Sequence, residues 1–134
     1  MDEDSDLVAA ALEARTRARV PYSHFAVGAA VRTREGHVYK GCNIENISLR
    51  LTLCAEEVAI GTAVVAGETD FTAVAVVADS QQPILPCGGC RQLLAEFNPT
   101  MEVISATLGG RTERYSLNEL LPRHNQGILE KTTW

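Results

Sequence analysis

The sequence predicts an α/β fold, a three-layer α/β/α sandwich with a mixed five-stranded sheet, as a single domain over residues 1–134. Three observations support this prediction. Segments with a helical apolar stripe alternate with short apolar runs that are typical of strands. The chain has 134 residues, which is the length of one domain. Hydrophobic residues make up 46% of it and aromatic residues only 5%, so Ala, Val, Leu and Ile must form the core.

A helix and a hairpin are predicted first. Ser5 can cap a helix that continues to about Arg19, and Pro21 ends it. The short apolar run 25–31 is followed by a turn rich in polar residues and glycine, after which 37–39 continues an extended pattern. These two segments are therefore predicted to pair as an antiparallel hairpin.

The middle of the chain contributes a helix and a buried strand. Residues 43–52 have no clear period, whereas 54–66 are rich in helix formers and apolar on almost every side. This pattern predicts a helix that is buried on most faces and stops at Gly67. The continuous apolar run 72–78 is typical of a strand that is covered on both faces of its sheet.

The last third adds a helix, a strand and a short helix. Pro86 opens a helix that runs to about Phe97, and 102–107 gives a strand that we expect to lie parallel to the preceding one. Ser116 can cap a short helix over 117–121. The tail 123–134 carries no strong pattern.

Composition and charge exclude several classes of function. The net charge is −5 and the first residues are acidic, so the chain offers no basic surface for a nucleic-acid partner. No apolar run approaches the roughly 20 residues of a membrane span, and no secretory signal is recognisable at the N-terminus. We therefore expect a cytoplasmic protein with no membrane partner.

Two cysteine motifs carry the chemistry. Cys54-Ala55-Glu56 is followed, 33 residues after Cys54, by the motif that contains Cys87 and Cys90. Three thiolates suit a tetrahedral Zn²⁺ whose fourth position is left for water, and Glu56 is placed to move protons. If the two helices lie side by side, the cysteines meet where two positive helix ends converge, which favours thiolates.

These motifs and the segments around them resemble the cytidine deaminase family in its small three-cysteine form. The matching segments, in the family's order, are 21–30 (PYSHFAVGAA), 41–46 (GCNIEN), 54–56 (CAE), 86–94 (PCGGCRQLL) and 120–122 (LLP). The resemblance implies a cytidine-deaminase-like sandwich that hydrolyses the C–N bond of a cyclic amidine. Its expected substrate is cytidine, deoxycytidine or a modified cytosine nucleoside, which would be converted to the uridine product and ammonia.

The resemblance also implies a role for individual residues. Cys54, Cys87 and Cys90 would bind one Zn²⁺ per subunit, and Glu56 would be the catalytic proton shuttle. The expected substrate-binding groups are the Phe25 side chain, the Asn43 and Glu45 side chains at the ribose hydroxyls, and the Ala55 N–H at the base carbonyl. Members of this form are commonly homotetramers, and the apolar helix that follows Cys54 suits an internal interface.

The sequence departs from the family at three places. Glu57 stands where three-cysteine members usually have an arginine, Leu49 stands where an aromatic residue is frequent, and 123–125 (RHN) stands where a phenylalanine usually stacks on the base. Two alternatives follow for the first departure. Either Glu57 turns outward and Arg50 or Arg91 offsets the thiolate charge, or the site is more negative than in its relatives.

Other functions remain open at this point. A closed structural zinc site with Cys42 as fourth ligand would make the chain a non-catalytic zinc-stabilised binding domain. A blasticidin S deaminase-like enzyme is a second alternative, because such enzymes also lack the arginine after Cys-Ala-Glu. The segment Asn43-Ile44-Glu45-Asn46 looks like a ribose reader and favours a nucleoside substrate. Disulfide pairing of the four cysteines is a further alternative, which a reducing compartment disfavours.

Overall fold

The computed structural model describes residues 2–125, which form four α-helices and one five-stranded sheet. The helices are α1 Glu3–Arg15, α2 Ala55–Val65, α3 Gly88–Phe97 and α4 Leu117–Leu120, and a 3₁₀ turn over Leu49–Leu51 precedes α2. The strands are β1 Val27–Thr33, β2 Val38–Cys42, β3 Phe71–Ala78, β4 Glu102–Thr107 and β5 Thr112–Ser116. The sequence also predicts a weakly patterned tail over 123–134, of which residues 126–134 lie outside the described residues.

The sheet is mixed and has helices on both faces. Its strand order is β2-β1-β3-β4-β5, and only β3 and β4 are parallel, as the apolar pattern of these strands predicts. One face packs on α1 through Leu7 and Ala11, and the other packs on α2, α3 and α4. Successive residues of the three central strands β1, β3 and β4 alternate between the two cores. The three-layer prediction is confirmed.

Helix α1 differs from its prediction at both ends. Asp2, rather than Ser5, caps it by accepting a hydrogen bond from the Ser5 N–H at 2.7 Å. The helix ends at Arg15, four residues early, because the chain must extend for Arg19 to pair with Ile44. The Arg19 N–H donates to the Asn43 carbonyl, so the early end of α1 supports a segment that carries two predicted substrate-binding residues.

Strand β5 and helix α2 also depart from the sequence pattern. Strand β5 lies at the sheet edge, is mostly polar and has no fully buried residue, which explains why apolar periodicity does not reveal it. Helix α2 buries one face, but Gly61, Thr62, Val64 and Val65 are exposed in the single chain. The prediction that α2 is buried on most faces is therefore wrong for one chain alone.

None of the helices in residues 2–125 has the length and apolar character to span a membrane.

Two glycines allow helices to approach the sheet more closely than any side chain would permit. A Cβ atom at Gly28 would lie 1.9 Å from the Ala11 carbonyl oxygen of α1. A Cβ atom at Gly41 would lie 2.3 Å from the Ala59 nitrogen and 2.4 Å from the Ala55 oxygen of α2. Since α2 begins directly after Cys54, the glycine at 41 sets how deeply this cysteine is placed over the sheet.

We expect Gly41→Ala to destabilise the protein by about 2 kcal/mol or more, because the new methyl group overlaps helix backbone rather than a flexible side chain. Urea denaturation of the zinc-loaded protein measures the change. Gly109→Ala is the matched control, since its Cβ would have only an ordinary 3.7 Å contact with Thr107. Equal midpoints for Gly41→Ala and wild type would contradict the close approach of α2 to β2.

Candidate metal and substrate site

Three cysteines meet at the N-termini of two helices. Cys54 is the N-cap of α2, Cys87 is the N-cap of α3, and Cys90 lies in the first turn of α3. Their three sulfur atoms all lie within 4.8 Å of one another. A tetrahedral zinc ion with Zn–S bonds of about 2.3 Å holds its thiolates about 3.8 Å apart. The cluster therefore fits one zinc ion, and the predicted convergence of two helix ends is confirmed.

Cys42 does not belong to this cluster. It ends β2, is partly buried, and lines a separate small cavity with Lys40 and Val58. Burial raises the pKa of its thiol above the ordinary value. All four cysteines lie in the described part of the chain and are free thiols there, so neither a Cys₄ site nor a disulfide forms in this arrangement.

Two thiols of the cluster, those of Cys54 and Cys90, have a raised pKa. Burial raises the pKa of Cys54 to about 12, and the negative charges of Cys87, Glu56 and Glu57 act in the same direction. Burial, followed by Glu56 and Cys54, also raises the pKa of Cys90. A raised pKa means that these two thiols hold their protons more tightly in the absence of metal. A divalent cation has to displace these protons, so zinc binding must weaken as pH falls.

Glu56 is buried beside the metal cluster. It is the second residue of α2 and only 5% exposed. Burial raises the pKa of its carboxyl group, and the neighbouring Glu57 charge raises it further. A carboxyl group whose pKa moves toward neutrality can both accept and return a proton under ordinary conditions.

The nearest candidate cations do not contact the thiols. Arg91 donates from Nε to the Pro86 carbonyl at 2.7 Å and from Nη1 to the Leu120 carbonyl at 2.9 Å. Arg50 is exposed, and within the described residues it makes no hydrogen bond or ion pair. Glu57 is indeed exposed, but its carboxylate reaches back to the Cys54 N–H at 2.8 Å. Within residues 2–125 neither Arg50 nor Arg91 pairs with a cysteine of the cluster, so their contacts give no support to charge compensation by either arginine.

Glu45 is held by a short loop that precedes β1. Its Oε1 accepts hydrogen bonds from the Tyr22 N–H at 3.0 Å and the Ser23 N–H at 3.1 Å. Its Oε2 accepts from the Ser23 hydroxyl at 2.5 Å. Hydrogen bonds from the Ser23 hydroxyl and then from these main-chain groups lower the pKa of Glu45, which keeps the carboxylate ionised. The carboxylate is thus pre-oriented before any ligand arrives.

Asn43 and Phe25 form the adjoining part of this arrangement. Asn43 accepts from the Val27 N–H at 2.9 Å and donates through Nδ2 to the Phe25 carbonyl at 2.9 Å. The Phe25 N–H donates to the Ser23 hydroxyl, and the Phe25 ring remains partly exposed. These hydrogen bonds join Ser23, Phe25, Asn43 and Val27 into one network at the N-terminal end of β1.

A cleft of about 540 Å³ connects the network to the metal cluster. Its lining includes Glu45 and Cys54, together with Tyr22, Ser23, Asn46, Ile47, Leu49 and Thr52. One predicted metal ligand, Cys54, and one predicted sugar-binding residue, Glu45, therefore border the same cleft. Asn43 and Phe25 are not among its lining residues but are hydrogen-bonded to each other and, through the Phe25 N–H, to Ser23.

Three contributions to the site were not assigned from the sequence. Tyr22 and Ser23 orient Glu45, and Glu57 contacts the main chain of the first cysteine. The signal for Ser23 is its place in the segment 21–30, although nothing in the spacing shows that it reaches residue 45. The signal for Glu57 is its position three residues after a helix N-cap, where glutamate commonly caps.

Comparisons with known proteins agree with this geometry. The family model for the cytidine and deoxycytidylate deaminase zinc-binding region matches residues 1–107. A cytidine deaminase from Sporosarcina psychrophila is 48% identical over 117 residues, which cover 87% of this chain and 86% of the relative. The crystal structure of a Burkholderia pseudomallei cytidine deaminase superposes with a TM-score of 0.87 at 44% identity, covering 92% of this chain and 98% of that one. A further relative is a blasticidin-S deaminase from Bacillus cereus, 37% identical over 128 residues that cover 90% of each chain.

The cluster predicts which cysteine substitutions remove the metal. We expect Cys42→Ala to retain one zinc per chain and Cys90→Ala to lose most of it, because Cys90 belongs to the cluster and Cys42 does not. Elemental analysis of purified protein after dialysis against chelator measures the content. Loss of zinc from Cys42→Ala would instead indicate a closed four-cysteine site.

Proposed function

The chain belongs to the family of cytidine and deoxycytidylate deaminases that carry a zinc-binding region, and on this premise we propose that it hydrolyses cytosine nucleosides. The substrate is cytidine, deoxycytidine or a modified relative. Water adds to C4 of the base, the C4–N bond breaks, and ammonia and the uridine product are released. The observation that carries this proposal is the meeting of Cys54, Cys87 and Cys90 beside the buried Glu56.

Glu56 moves the protons of this reaction. When bound by the three cysteines, zinc supplies Lewis-acid activation of a water molecule. The Glu56 carboxylate takes a proton from the attacking water and delivers it to the ring nitrogen N3, and then passes the proton of the hydroxyl group now on C4 to the departing amino group. Its burial supports this role, because a raised pKa brings the protonated and ionised forms closer in free energy.

The first turn of α2 orients the base. As the first residue of the helix, Ala55 has a main-chain N–H with no acceptor inside α2. We assign this N–H to the base carbonyl, because the positive end of the helix favours an oxygen acceptor there. The ring of Phe25, partly exposed beside the Ser23 loop, is assigned to the nucleoside pocket.

Two unused hydrogen-bonding positions suit the sugar. Glu45 already accepts three hydrogen bonds, which leaves one lone-pair direction on Oε2. Asn43 uses its oxygen and one N–H proton internally, which leaves one N–H. One free acceptor and one free donor, two residues apart in an extended segment, match a pair of neighbouring hydroxyl groups. This count supports the assignment of Asn43 and Glu45 to the ribose.

The single domain is proposed to act as a homotetramer. Large apolar side chains lie uncovered beside the cleft and on α2, with Ile47 and Leu49 each 83% exposed and Val65 90% exposed. Their burial between subunits would explain why α2 is apolar on nearly every side. We place the enzyme in the cytoplasm, because a reducing compartment keeps the three ligand thiols available for zinc.

We expect the zinc-loaded wild type to release ammonia from cytidine or deoxycytidine, and Glu56→Gln to lower the rate by about 10²- to 10⁴-fold with its zinc retained. The amide matches the shape of the carboxylate but cannot carry the protons. The change in base absorbance and the ammonia produced are both measured, with zinc content determined on the same samples.

The same assay separates the alternatives. Turnover of blasticidin S without turnover of any cytosine nucleoside would replace the proposed substrate with that of the Bacillus cereus relative. If neither substrate class reacts with fully zinc-loaded protein, the deaminase proposal fails and the zinc-stabilised binding domain takes its place.

A second prediction concerns the sugar. Glu45→Gln keeps an oxygen for the Tyr22 and Ser23 N–H groups but puts an NH₂ group where Oε2 accepts, so it cannot accept from a substrate hydroxyl. We expect kcat/KM for cytidine to fall about 10- to 100-fold, mainly through KM, as for hydrogen bonds to charged groups. Steady-state kinetics with 2′,3′-dideoxycytidine provides the control, and its kcat/KM should change by less than about threefold. Equal losses on both substrates would contradict hydroxyl recognition by Glu45.

A further inference from the structure

The residue directly after the buried carboxylate is tied to the main chain of a metal ligand. Glu57 accepts a hydrogen bond from the Cys54 N–H at 2.8 Å, in the capping-box arrangement of a helix N-terminus. The N-cap and the following residues of a helix carry main-chain N–H groups that the helix itself cannot satisfy. Glu57 satisfies the one that belongs to a zinc ligand.

A second capping box within residues 2–125 involves no residue of the metal cluster. At the start of α4, Glu119 accepts from the Ser116 N–H, also at 2.8 Å and also three residues along. At the start of α3, which carries the other two ligands, the first turn is Gly88-Gly89 and contains no acidic residue. Among the two helix starts that hold zinc ligands, the capping glutamate therefore occurs only at Cys54.

We propose that Glu57 is a positioning residue for zinc, which orients the Cys54 main chain, and with it the sulfur, through this hydrogen bond. The inference rests on the proposed function only in taking the three-cysteine cluster as the zinc site. The hydrogen bond, rather than the negative charge, performs the role. The bond fixes the backbone at the point where the chain turns from Leu53 into α2, so the Cys54 sulfur faces the other two before the metal arrives.

Two substitutions of Glu57 distinguish the effect of its hydrogen bond to the Cys54 N–H from the effect of its negative charge. Glu57→Gln keeps an acceptor oxygen at the same reach and removes the charge, whereas Glu57→Asp keeps the charge and is one methylene too short for the capping position. We expect Glu57→Gln to hold zinc against a competing chromogenic chelator within about threefold of wild type. We expect Glu57→Asp and Glu57→Ala to lose zinc at about 10- to 100-fold lower chelator concentrations, as for other groups that orient metal ligands.

Amide hydrogen exchange of zinc-loaded protein gives a second readout that requires no substrate. The Cys54 N–H should exchange at the wild-type rate in Glu57→Gln and at least about tenfold faster in Glu57→Asp, because only the latter loses its acceptor. Glu119→Ala is the matched control. It removes a cap of the same geometry, so it should lower the melting temperature by roughly 2 to 8 °C without changing zinc retention.

The proposal is overturned if Glu57→Gln loses zinc as readily as Glu57→Asp, since the charge would then be the effective property. It is also overturned if all three Glu57 variants retain zinc as the wild type does. Because both readouts are made without substrate, absence of cytidine turnover would reject the proposed function while leaving this inference standing or failing on its own results.

Discussion

The meeting of two helix N-termini above one sheet face is the constraint on which the rest of the structure depends. Helices α2 and α3 begin at Cys54 and Cys87, and their first turns supply every sulfur of the metal cluster and the buried Glu56. Small residues on the strands beneath these helices allow the helix backbones to pack closely on the sheet. Gly41, which admits the backbone of α2, is the clearest instance.

Where the two helices meet, opposing electrostatic effects act on the cysteine thiols. Two helix ends contribute partial positive charge, but burial raises the pKa of Cys54 and Cys90, and the charge of Glu56 raises both further. Arg91, the cation nearest in sequence to the ligands, donates its hydrogen bonds to carbonyl groups instead. The cluster is consequently suited to a doubly charged ion and poorly suited to reactive free thiolates.

Local sequence patterns predict much of this molecule. The apolar runs locate β3 to within one residue and β4 at both ends, and the cysteine spacing locates both ligand-bearing helix starts. Strand β5 is polar and lies at the sheet edge, so its sequence has no apolar pattern. Helix α1 begins three residues earlier than predicted, with Asp2 rather than Ser5 as its N-cap. The contacts of Ser23 with Glu45 and of Arg19 with Asn43 join residues more than 20 positions apart, so no local pattern can contain them.

Arg91 also has a consequence for biosynthesis. It bonds the carbonyl just before Cys87 and, with the same guanidinium, a carbonyl 29 residues further along at Leu120. During translation, the second acceptor leaves the ribosome only after β4, β5 and most of α4 have been made. The start of α3 is thus fully secured only after the chain through Leu120 has been made, so completion of the metal centre waits for residues far beyond the last cysteine.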